Sequence, residues 1–244
     1  MKNQSGSGTG YLDYGDTPAF KGVFAATSYV VGSDLDGLAQ SINGAHPRVF
    51  VPIAGLHHAR RDTAAGFCVF NDAGILIETL RQQFGINRVA YVDIDAHHGD
   101  GVFYTFEDDP DLLFADIHED GRFLYPGTGF AGETGKGAAE GTKLNIPLPP
   151  GADDSAFHTA WPRVEEFLRA GKPEFILLQA GADSIAGDPI THMAFSPAAH
   201  GHAAQRLCRI ADEFCDGRII AMGGGGYNRN NLALGWNEVV KAML

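Results

Sequence analysis

Short apolar runs rich in β-branched residues alternate along the chain with segments whose apolar residues recur every three or four positions. Runs such as Phe175-Ile176-Leu177-Leu178 are continuously apolar, which is typical of strands buried on both faces of a parallel sheet. The pattern predicts strands over 48–53, 88–94, 112–117, 142–148, 174–179 and 218–222. This alternation predicts a doubly wound α/β fold with a mainly parallel sheet and helices on both faces.

Three amphipathic stripes with capping residues predict helices between these strands. They are Ala73, Ile77, Leu80 and Phe84 after Asn71-Asp72; Phe157, Trp161, Val164 and Leu168 after Asp153-Asp154-Ser155; and Leu207, Ile210, Phe214 and Cys215 in a segment opened near Ser196-Pro197.

The length of 244 residues suits a single α/β domain. Residues 3–10 have the composition of a linker, so we expect a flexible segment over 1–10 and one catalytic-type domain over 11–244. Three cysteines without paired spacing indicate buried thiols and a reducing compartment rather than a disulfide scaffold.

No apolar run reaches the roughly 18 residues of a membrane span, and the first residues lack the apolar core of a signal peptide. We therefore expect a cytoplasmic protein without a membrane partner. The formal net charge of −12 repels phosphate backbones and argues against direct nucleic-acid binding. It mildly favours cationic ligands.

Histidines, carboxylates and a tyrosine follow four of the predicted strands where each one ends. In a doubly wound sheet the carboxyl ends of the strands meet at one edge, and ligands bind there. We expect these groups to converge at that edge: the pair His57-His58, the segment 93–101 with Asp93, Asp95, His97 and Asp100, Asp183, and Tyr227 after Gly223–Gly226.

Asp95 and His97 stand two residues apart, so on an extended backbone their side chains point the same way. Together with Asp183 they can surround one metal ion and leave a position open for water, as in a catalytic zinc site. Two carboxylates and one imidazole also suit Fe²⁺ or Co²⁺, so the residues leave the choice of metal open.

The adjacent His57 and His58 each need a polar partner when buried, and Asp93 and Asp100 can each accept a ring N–H and fix a tautomer. A histidine backed by an aspartate is a suitable general base near neutral pH. The hydroxyl of Tyr227 can donate to an oxyanion, and the glycines before it let the backbone approach the site closely.

Taken together, these segments resemble the histone deacetylase superfamily, which includes acetylpolyamine amidohydrolases and acetoin-utilisation-type proteins. The resemblance runs from about Asp13 to the end of the chain, and it rests on residues 57–62, 66–68, 93–101, 118–120, 125–129, 181–183, 187–189 and 223–228. It implies the arginase/deacetylase-like fold. It also leads us to expect that the usual amino-terminal portion of the family, before the position of Asp16, is absent.

The resemblance implies a role for each matching residue. Asp95, His97 and Asp183 would hold zinc; His58 would act as base and then acid beside His57, with Asp100 and Asp93 behind them; and Tyr227 would polarise the acetyl carbonyl. Substrate contacts would come from Asp16, Gly66, Phe67, Tyr125 and Gly225. A structural K⁺ or Na⁺, held largely by backbone carbonyls, would lie near Asp93, Asp95, His97, Asp116 and Ile117.

Two of these positions depart from the common pattern, because Asp116 stands where many relatives have serine and Tyr125 where phenylalanine is common. A third, Ile190, follows Asp188-Pro189 where a polyamine-selective branch has a glutamate, which weakens the polyamine interpretation.

The expected function is zinc-dependent removal of acetyl groups from N-acetylated primary amines, above all acetyl-lysine side chains in peptides. One alternative is an acetylpolyamine or another small acylamine as substrate, and a further hydrolase alternative is a ureohydrolase of the arginase type with two manganese ions. A different class remains as well: a catalytically impaired, metal-bearing binding protein. A sheet edge left open by a missing strand would favour a homo-oligomer.

Overall fold

The computed structural model describes residues 10–244, in which six parallel strands form one sheet. In chain order the elements are α1 (Val23–Ile42), β1 (Arg48–Val51), α2 (Asp72–Phe84), β2 (Val89–Asp93), α3 (Asp100–Thr105), β3 (Leu112–Glu119), β4 (Lys143–Leu148), α4 (Asp154–Gly171), β5 (Phe175–Gln179), α5 (Pro197–Phe214), β6 (Ile219–Met222) and α6 (Arg229–Met243). Short 3₁₀ turns cover Gly137–Ala139 and Ala182–Ser184. All six predicted strands are confirmed.

The strand order is β1-β6-β5-β2-β3-β4. After β2 the chain builds β3 and β4 on one side, and it then returns to place β5 on the other side of β2. The order therefore reverses between β2 and β5, where Asp93 pairs with Gln179. A doubly wound sheet opens a crevice at the carboxyl end of such a reversal.

Helices cover both faces of the sheet, as the sequence predicts. Alternate residues of β2 point to opposite sides, so Val92 packs in the core beneath α4, α5 and α6, and Tyr91 packs in the core beneath α1, α2 and α3. Both residues are fully buried. The central strands are apolar on both faces because both faces are covered.

The three predicted helices form with the predicted caps. The side chains of Asn71, Asp153 and Ser196 accept backbone N–H groups at the amino ends of α2, α4 and α5. Phe84 departs from the predicted stripe, because it lies at the last residue of α2 and is 40% exposed. The three cysteines are buried and unpaired.

The predicted flexible segment lies outside the described residues except for Gly10, and the domain assignment of 11–244 stays a prediction. Within residues 10–244, no helix combines the length and the apolar content that a membrane crossing needs.

Candidate active site

The carboxyl ends of four strands bring the predicted site residues to one crevice. His57 and His58 follow β1, Asp93 ends β2, and Asp183 lies in the 3₁₀ turn after β5. A cavity of about 330 Å³ opens between them. Its lining comprises Asp16, Gly55, Leu56, His57, His58, Gly66, Phe67, Cys68, Asp95, His97, Leu124, Tyr125, Asp183, Ile190, Gly224, Gly225 and Tyr227.

Asp95, His97 and Asp183 form the cluster that the sequence predicts as a metal site. One potential ligand atom from each lies within 4.8 Å of the others, and all three residues are buried. Nδ1 of His97 lies 3.0 Å from Oδ1 of Asp95 and 3.1 Å from Oδ2 of Asp183. Two carboxylates and one imidazole at this spacing can hold one divalent cation and leave a coordination position open.

Neighbouring groups fix the orientation of the two carboxylates. Oδ2 of Asp95 accepts the Gln179 side-chain amide at 2.9 Å and the Gly225 amide at 3.0 Å. Oδ1 of Asp183 accepts the Ala96 amide at 2.9 Å. A Cβ on Gly225 would overlap Oδ2 of Asp183, so this position needs glycine. The cluster is therefore held in shape by the surrounding backbone, as a metal site requires.

The electrostatics of the cluster favour a bound cation. Burial lowers the pKa of His97, but the carboxylates of Asp183 and Asp95 outweigh it and raise the pKa to about 11. Burial and the charge of Asp95 raise the pKa of Asp183 to about 6, against the opposing effect of His97. Two buried carboxylates side by side thus require positive charge between them.

Each histidine of the pair has its own aspartate. Nδ1 of His57 lies 2.8 Å from Oδ2 of Asp93, and Nδ1 of His58 lies 2.7 Å from Oδ1 of Asp100. Both histidines are nearly fully buried. A carboxylate on Nδ1 fixes the tautomer in which Nδ1 carries the proton, so Nε2 of His58 is the nitrogen with a lone pair, and it lies 3.1 Å from Nε2 of His57.

The two imidazoles differ in their pKa values. Burial lowers the pKa of His57, but the charges of Asp93 and Asp95 outweigh it and raise the pKa to about 10. Burial and the neighbouring His57 lower the pKa of His58 to about 4, against the opposing effect of Asp100. These pKa values favour a charged His57 and an uncharged His58 at neutral pH, and an uncharged imidazole is the form that a general base requires.

Tyr227 lies at the cavity wall beyond the four glycines that follow β6. Its backbone N–H donates to Oδ2 of Asp188 at 2.7 Å, which positions the residue. Burial and the carboxylates of Asp95 and Asp183 raise the pKa of its phenol, so the hydroxyl keeps its proton at neutral pH. It is available as a hydrogen-bond donor to a ligand.

The predicted substrate contacts form the mouth of the cavity. Phe67 and Tyr125 are 54% and 43% exposed, and the ring of Tyr125 meets that of His58 edge-on at 5.0 Å. Oδ1 of Asp16 accepts the Gly66 amide at 3.1 Å, which ties the rim to the Gly66-Phe67 turn. A Cβ on Gly66 would overlap the ring of His58, so this wall needs glycine.

The residues of the predicted monovalent-cation site lie in β2, in β3 and in the segment that follows β2. Asp93 and Asp116 are partners across β2 and β3. The Asp116 carboxylate is engaged with Nδ1 of His118 at 2.7 Å and with the Gly99 amide at 2.9 Å. Within residues 10–244, no backbone N–H donates to the carbonyls of Asp95 and His97. The cation itself stays a prediction.

Sequence reasoning missed three supporting residues. Gln179 holds Asp95, Asp188 holds Tyr227, and the side-chain amide of Asn71 donates to the Ala59 carbonyl at 2.8 Å, beside the histidine pair. Asn71 was predicted only as a helix cap. The one available signal is that Gln179 is a polar residue at the end of an otherwise apolar strand.

Comparisons with known proteins point to one family. The sequence matches the family described as "Histone deacetylase domain" over residues 1–243. It is 38% identical over 214 residues to the acetoin utilization protein AcuC of Bacillus subtilis (strain 168), covering 87% of this chain and 55% of that protein. It is 36% identical over 221 residues to a probable deacetylase of Archaeoglobus fulgidus, covering 90% of this chain and 60% of that protein.

Among solved structures, the HD domain of HDA15 superposes with a TM-score of 0.87 at 30% identity, covering 96% of this chain and 66% of that one. The chain spans little more than half the length of the two curated relatives. The family match extends over nearly the whole chain, and the fold is shared with the HDA15 HD domain. On these grounds, this chain belongs to the histone deacetylase family.

Proposed function

We propose that this protein is a zinc-dependent amidohydrolase that removes acetyl groups from N-acetylated primary amines, with acetyl-lysine side chains as its substrate class. One observation carries the proposal: His58 and Tyr227 line the same cavity as the Asp95–His97–Asp183 cluster. The lowered pKa of His58 and the raised pKa of the Tyr227 phenol suit them to act as base and hydrogen-bond donor. Base, hydrogen-bond donor and metal ligands are the groups that hydrolysis of an unactivated amide requires.

Asp95, His97 and Asp183 would hold the zinc ion. Their donor set fits it, because the cluster is buried, anionic and shaped by the Gly225 and Gln179 contacts. When bound, the ion would supply Lewis acidity toward the acetyl carbonyl and would make a water molecule more acidic. Fe²⁺ and Co²⁺ suit the same donor set. Comparing the activity of protein loaded with each of the three metals decides between them.

His58 moves the proton in the proposed reaction. Nε2 takes the proton of the attacking water, since Nδ1–H is held by Asp100 and the ring is uncharged at neutral pH. As the carbon–nitrogen bond breaks, the same Nε2 returns that proton to the departing amine nitrogen. The products are acetate and a free primary amine, and His58 ends in its starting state.

Tyr227 stabilises the negative charge that develops on the acetyl oxygen. Its hydroxyl hydrogen donates to that oxygen from the cavity wall, and it does so most strongly when the oxygen is most negative. His57, held as a cation by Asp93, adds positive charge beside the reacting centre and keeps the pKa of His58 low.

The cavity mouth supports an alkyl chain that carries the acetyl group at its end. Phe67, Leu124, Tyr125 and Ile190 provide apolar wall, and Asp16 provides a carboxylate at the rim. The four-methylene chain of a lysine can pack between the aromatic rings, and Asp16 can accept an N–H from the substrate backbone. Gly225 can approach the acetyl group closely because it has no Cβ.

The same mouth admits a small acetylated amine as the second candidate substrate. The formal net charge of −12 and the rim carboxylate favour a cationic amine, such as an acetylated polyamine. The apolar Ile190 at the lining offers such a cation no charged partner, which favours the peptide substrate.

We also propose a monovalent cation, K⁺ or Na⁺, near Asp93, Asp95, His97, Asp116 and Ile117. Its support is the absence of donors to the Asp95 and His97 carbonyls within the described part of the chain, together with the buried carboxylates of Asp93 and Asp116. Higher activity in KCl than in choline chloride at the same concentration would support this site.

The test is acetate release from an acetyl-lysine peptide and, in parallel, from acetylspermidine, each with zinc-loaded and chelated protein. Metal-dependent release of acetate from the peptide supports the proposal. Release from acetylspermidine alone would show that the substrate is a small acetylated amine and not an acetyl-lysine side chain. Folded, zinc-bearing protein that binds either compound without releasing acetate would indicate an impaired binding protein and overturn the enzyme assignment.

A further inference from the structure

The two carboxylate oxygens of Asp100 have different partners. Oδ1 lies 2.7 Å from Nδ1 of His58, and Oδ2 accepts Nη2 of Arg60 at 3.2 Å. The Asp100 side chain is only 5% exposed, so water cannot readily replace either partner. Arg60 therefore satisfies the oxygen that the catalytic pair leaves free.

Arg60 is itself held in place on both sides. Its backbone N–H donates to the Thr63 carbonyl at 2.9 Å, and its guanidinium lies over the ring of Tyr104 at 4.8 Å. The Tyr104 hydroxyl donates to Oε2 of Glu133 at 2.7 Å. A guanidinium stacked on a fixed ring loses little further freedom when it binds a carboxylate.

Arg60 reaches Asp100 from outside the catalytic cavity. It lines a separate cavity of about 580 Å³, between the loop at Arg61-Asp62 and helix α2, which shares no lining residue with the catalytic cavity. The Arg60 side chain is 46% exposed on that side. Arg60 thus does not line the catalytic cavity, and its contact with the catalytic residues is the one with Asp100.

The contact has a clear physical consequence for Asp100. Burial raises the pKa of Asp100, but the hydrogen bonds from His58 and Arg60 outweigh it and lower the pKa below its usual value. Without Arg60, a buried carboxylate oxygen would have no partner, and the carboxylate would gain freedom to rotate away from Nδ1 of His58.

We propose that Arg60 is a positioning residue for the catalytic base, which locks the Asp100 carboxylate so that it holds His58 with Nε2 toward the cavity. This proposal rests on the role of His58 in the proposed function. It predicts that losing Arg60 slows the reaction while substrate binding stays intact, because the contact lies behind the base and not at the mouth.

The kinetic test compares Arg60→Gln, Arg60→Lys and the matched control Arg61→Gln on the acetyl-lysine peptide. Arg61 is the adjacent arginine and pairs with Glu78 at 2.5 Å, away from Asp100. We expect Arg60→Gln to lower kcat by about tenfold or more with KM within about twofold, as for other residues that orient a catalytic side chain. Arg60→Lys should recover part of the loss, and Arg61→Gln should match the wild type.

A double substitution separates positioning from general stability. In an Asp100→Asn background, adding Arg60→Gln should change kcat little, because its route to His58 is already broken. Equal losses in both backgrounds, or an unchanged kcat in Arg60→Gln, would overturn the proposal. Thermal unfolding of each variant shows whether a loss of kcat comes from misfolding. If Arg60→Gln does not fold, Arg60→Lys is compared with the wild type in its place.

A spectroscopic readout decides the question without turnover. The Nδ1 proton of His58 in its short bond to Asp100 should give a low-field NMR resonance, which His58→Gln removes and so assigns. We expect Arg60→Gln to broaden or shift this resonance upfield and Arg61→Gln to leave it in place. A wild type with the resonance but no turnover would refute the proposed function alone, whereas an unmoved resonance in Arg60→Gln would refute the role of Arg60.

Discussion

Nε2 of His57 lies 3.1 Å from Nε2 of His58, although the two imidazoles differ in charge at neutral pH. The difference comes from their partners. Asp93 and Asp95 keep His57 protonated, and the resulting charge, together with burial, keeps the proton off His58. Adjacent residues thereby take the separate roles of cation and base.

Replacing each histidine separately tests this division. His58→Gln removes the proton carrier and should lower kcat by about 10²–10⁴, the usual contribution of a general acid–base group. His57→Gln removes only a neighbouring charge and should cost less. Steady-state kinetics on zinc-loaded protein, with metal content measured for both variants, checks the order. A larger loss in His57→Gln would reverse the assigned roles.

The pH dependence of kcat should show both groups. Activity needs His58 without a proton, so it falls as the pH drops toward about 4, and it needs His57 with a proton, so it falls as the pH rises toward about 10. Asp93→Asn removes a charge that raises the pKa of His57, so the alkaline limb should move to lower pH. An alkaline limb that stays in place in Asp93→Asn would contradict the assignment.

Much of the fold follows from the sequence, because central strands such as β5 are continuous apolar runs and burial on both faces demands such runs. Helix α1 was missed because β-branched residues, Ser33 and Asp34 interrupt its apolar pattern, and Asp34 is nonetheless buried. Helix α6 was missed because it follows the glycine loop directly at the Asn228 cap, so its start is difficult to separate from the loop in the sequence.

The sequence predicts those site residues that come directly after the ends of strands. The contacts that support the site could not be predicted, because they join residues far apart in sequence. Gln179 reaches Asp95 across 84 positions, and Asp188 reaches Tyr227 across 39. Arg60 contacts Asp100 only because β1 and β2, separated by two strands in the sheet, end at the same crevice.

Tyr227→Phe tests the hydrogen-bond donor alone. The substitution keeps the ring and removes the hydroxyl, so kcat should fall by about 10²–10³, as for the loss of one oxyanion donor. Zinc content should stay at the wild-type level, because Tyr227 is not among the clustered ligands. Metal analysis beside the kinetics checks this, and an equal loss of zinc would refute the donor role.

Gly225→Ala tests whether the backbone shapes the metal cluster. A Cβ at this position would overlap Oδ2 of Asp183, so the variant should bind zinc more weakly and lose activity in proportion. Gly132→Ala is the matched control, because a Cβ there meets nothing within 4 Å. Zinc affinity, measured by competition with a chelator, reports the difference, and equal affinities for the two variants would contradict the packing argument.

Glu165 links α4 to α5 and should make stability depend on pH far from the active site. Burial raises its pKa, but the hydrogen bonds from Arg206 and Arg169 outweigh this effect and lower the pKa to about 2. A carboxylate whose pKa is lowered in the folded state stabilises the fold at pH values above its unfolded pKa, near 4.5. This stabilisation is lost as the pH falls toward the folded pKa of about 2.

Glu165→Gln should therefore lower the free energy of unfolding at pH 7, and its difference from the wild type should shrink as the pH falls below about 4.5. Glu238→Gln is the control, since its ion pair with Lys241 is solvent-exposed and should contribute little. Urea unfolding at several pH values measures both variants. A stability difference for Glu165→Gln that is the same at pH 7 and pH 3 would show that the two arginines do not stabilise the fold through its charge.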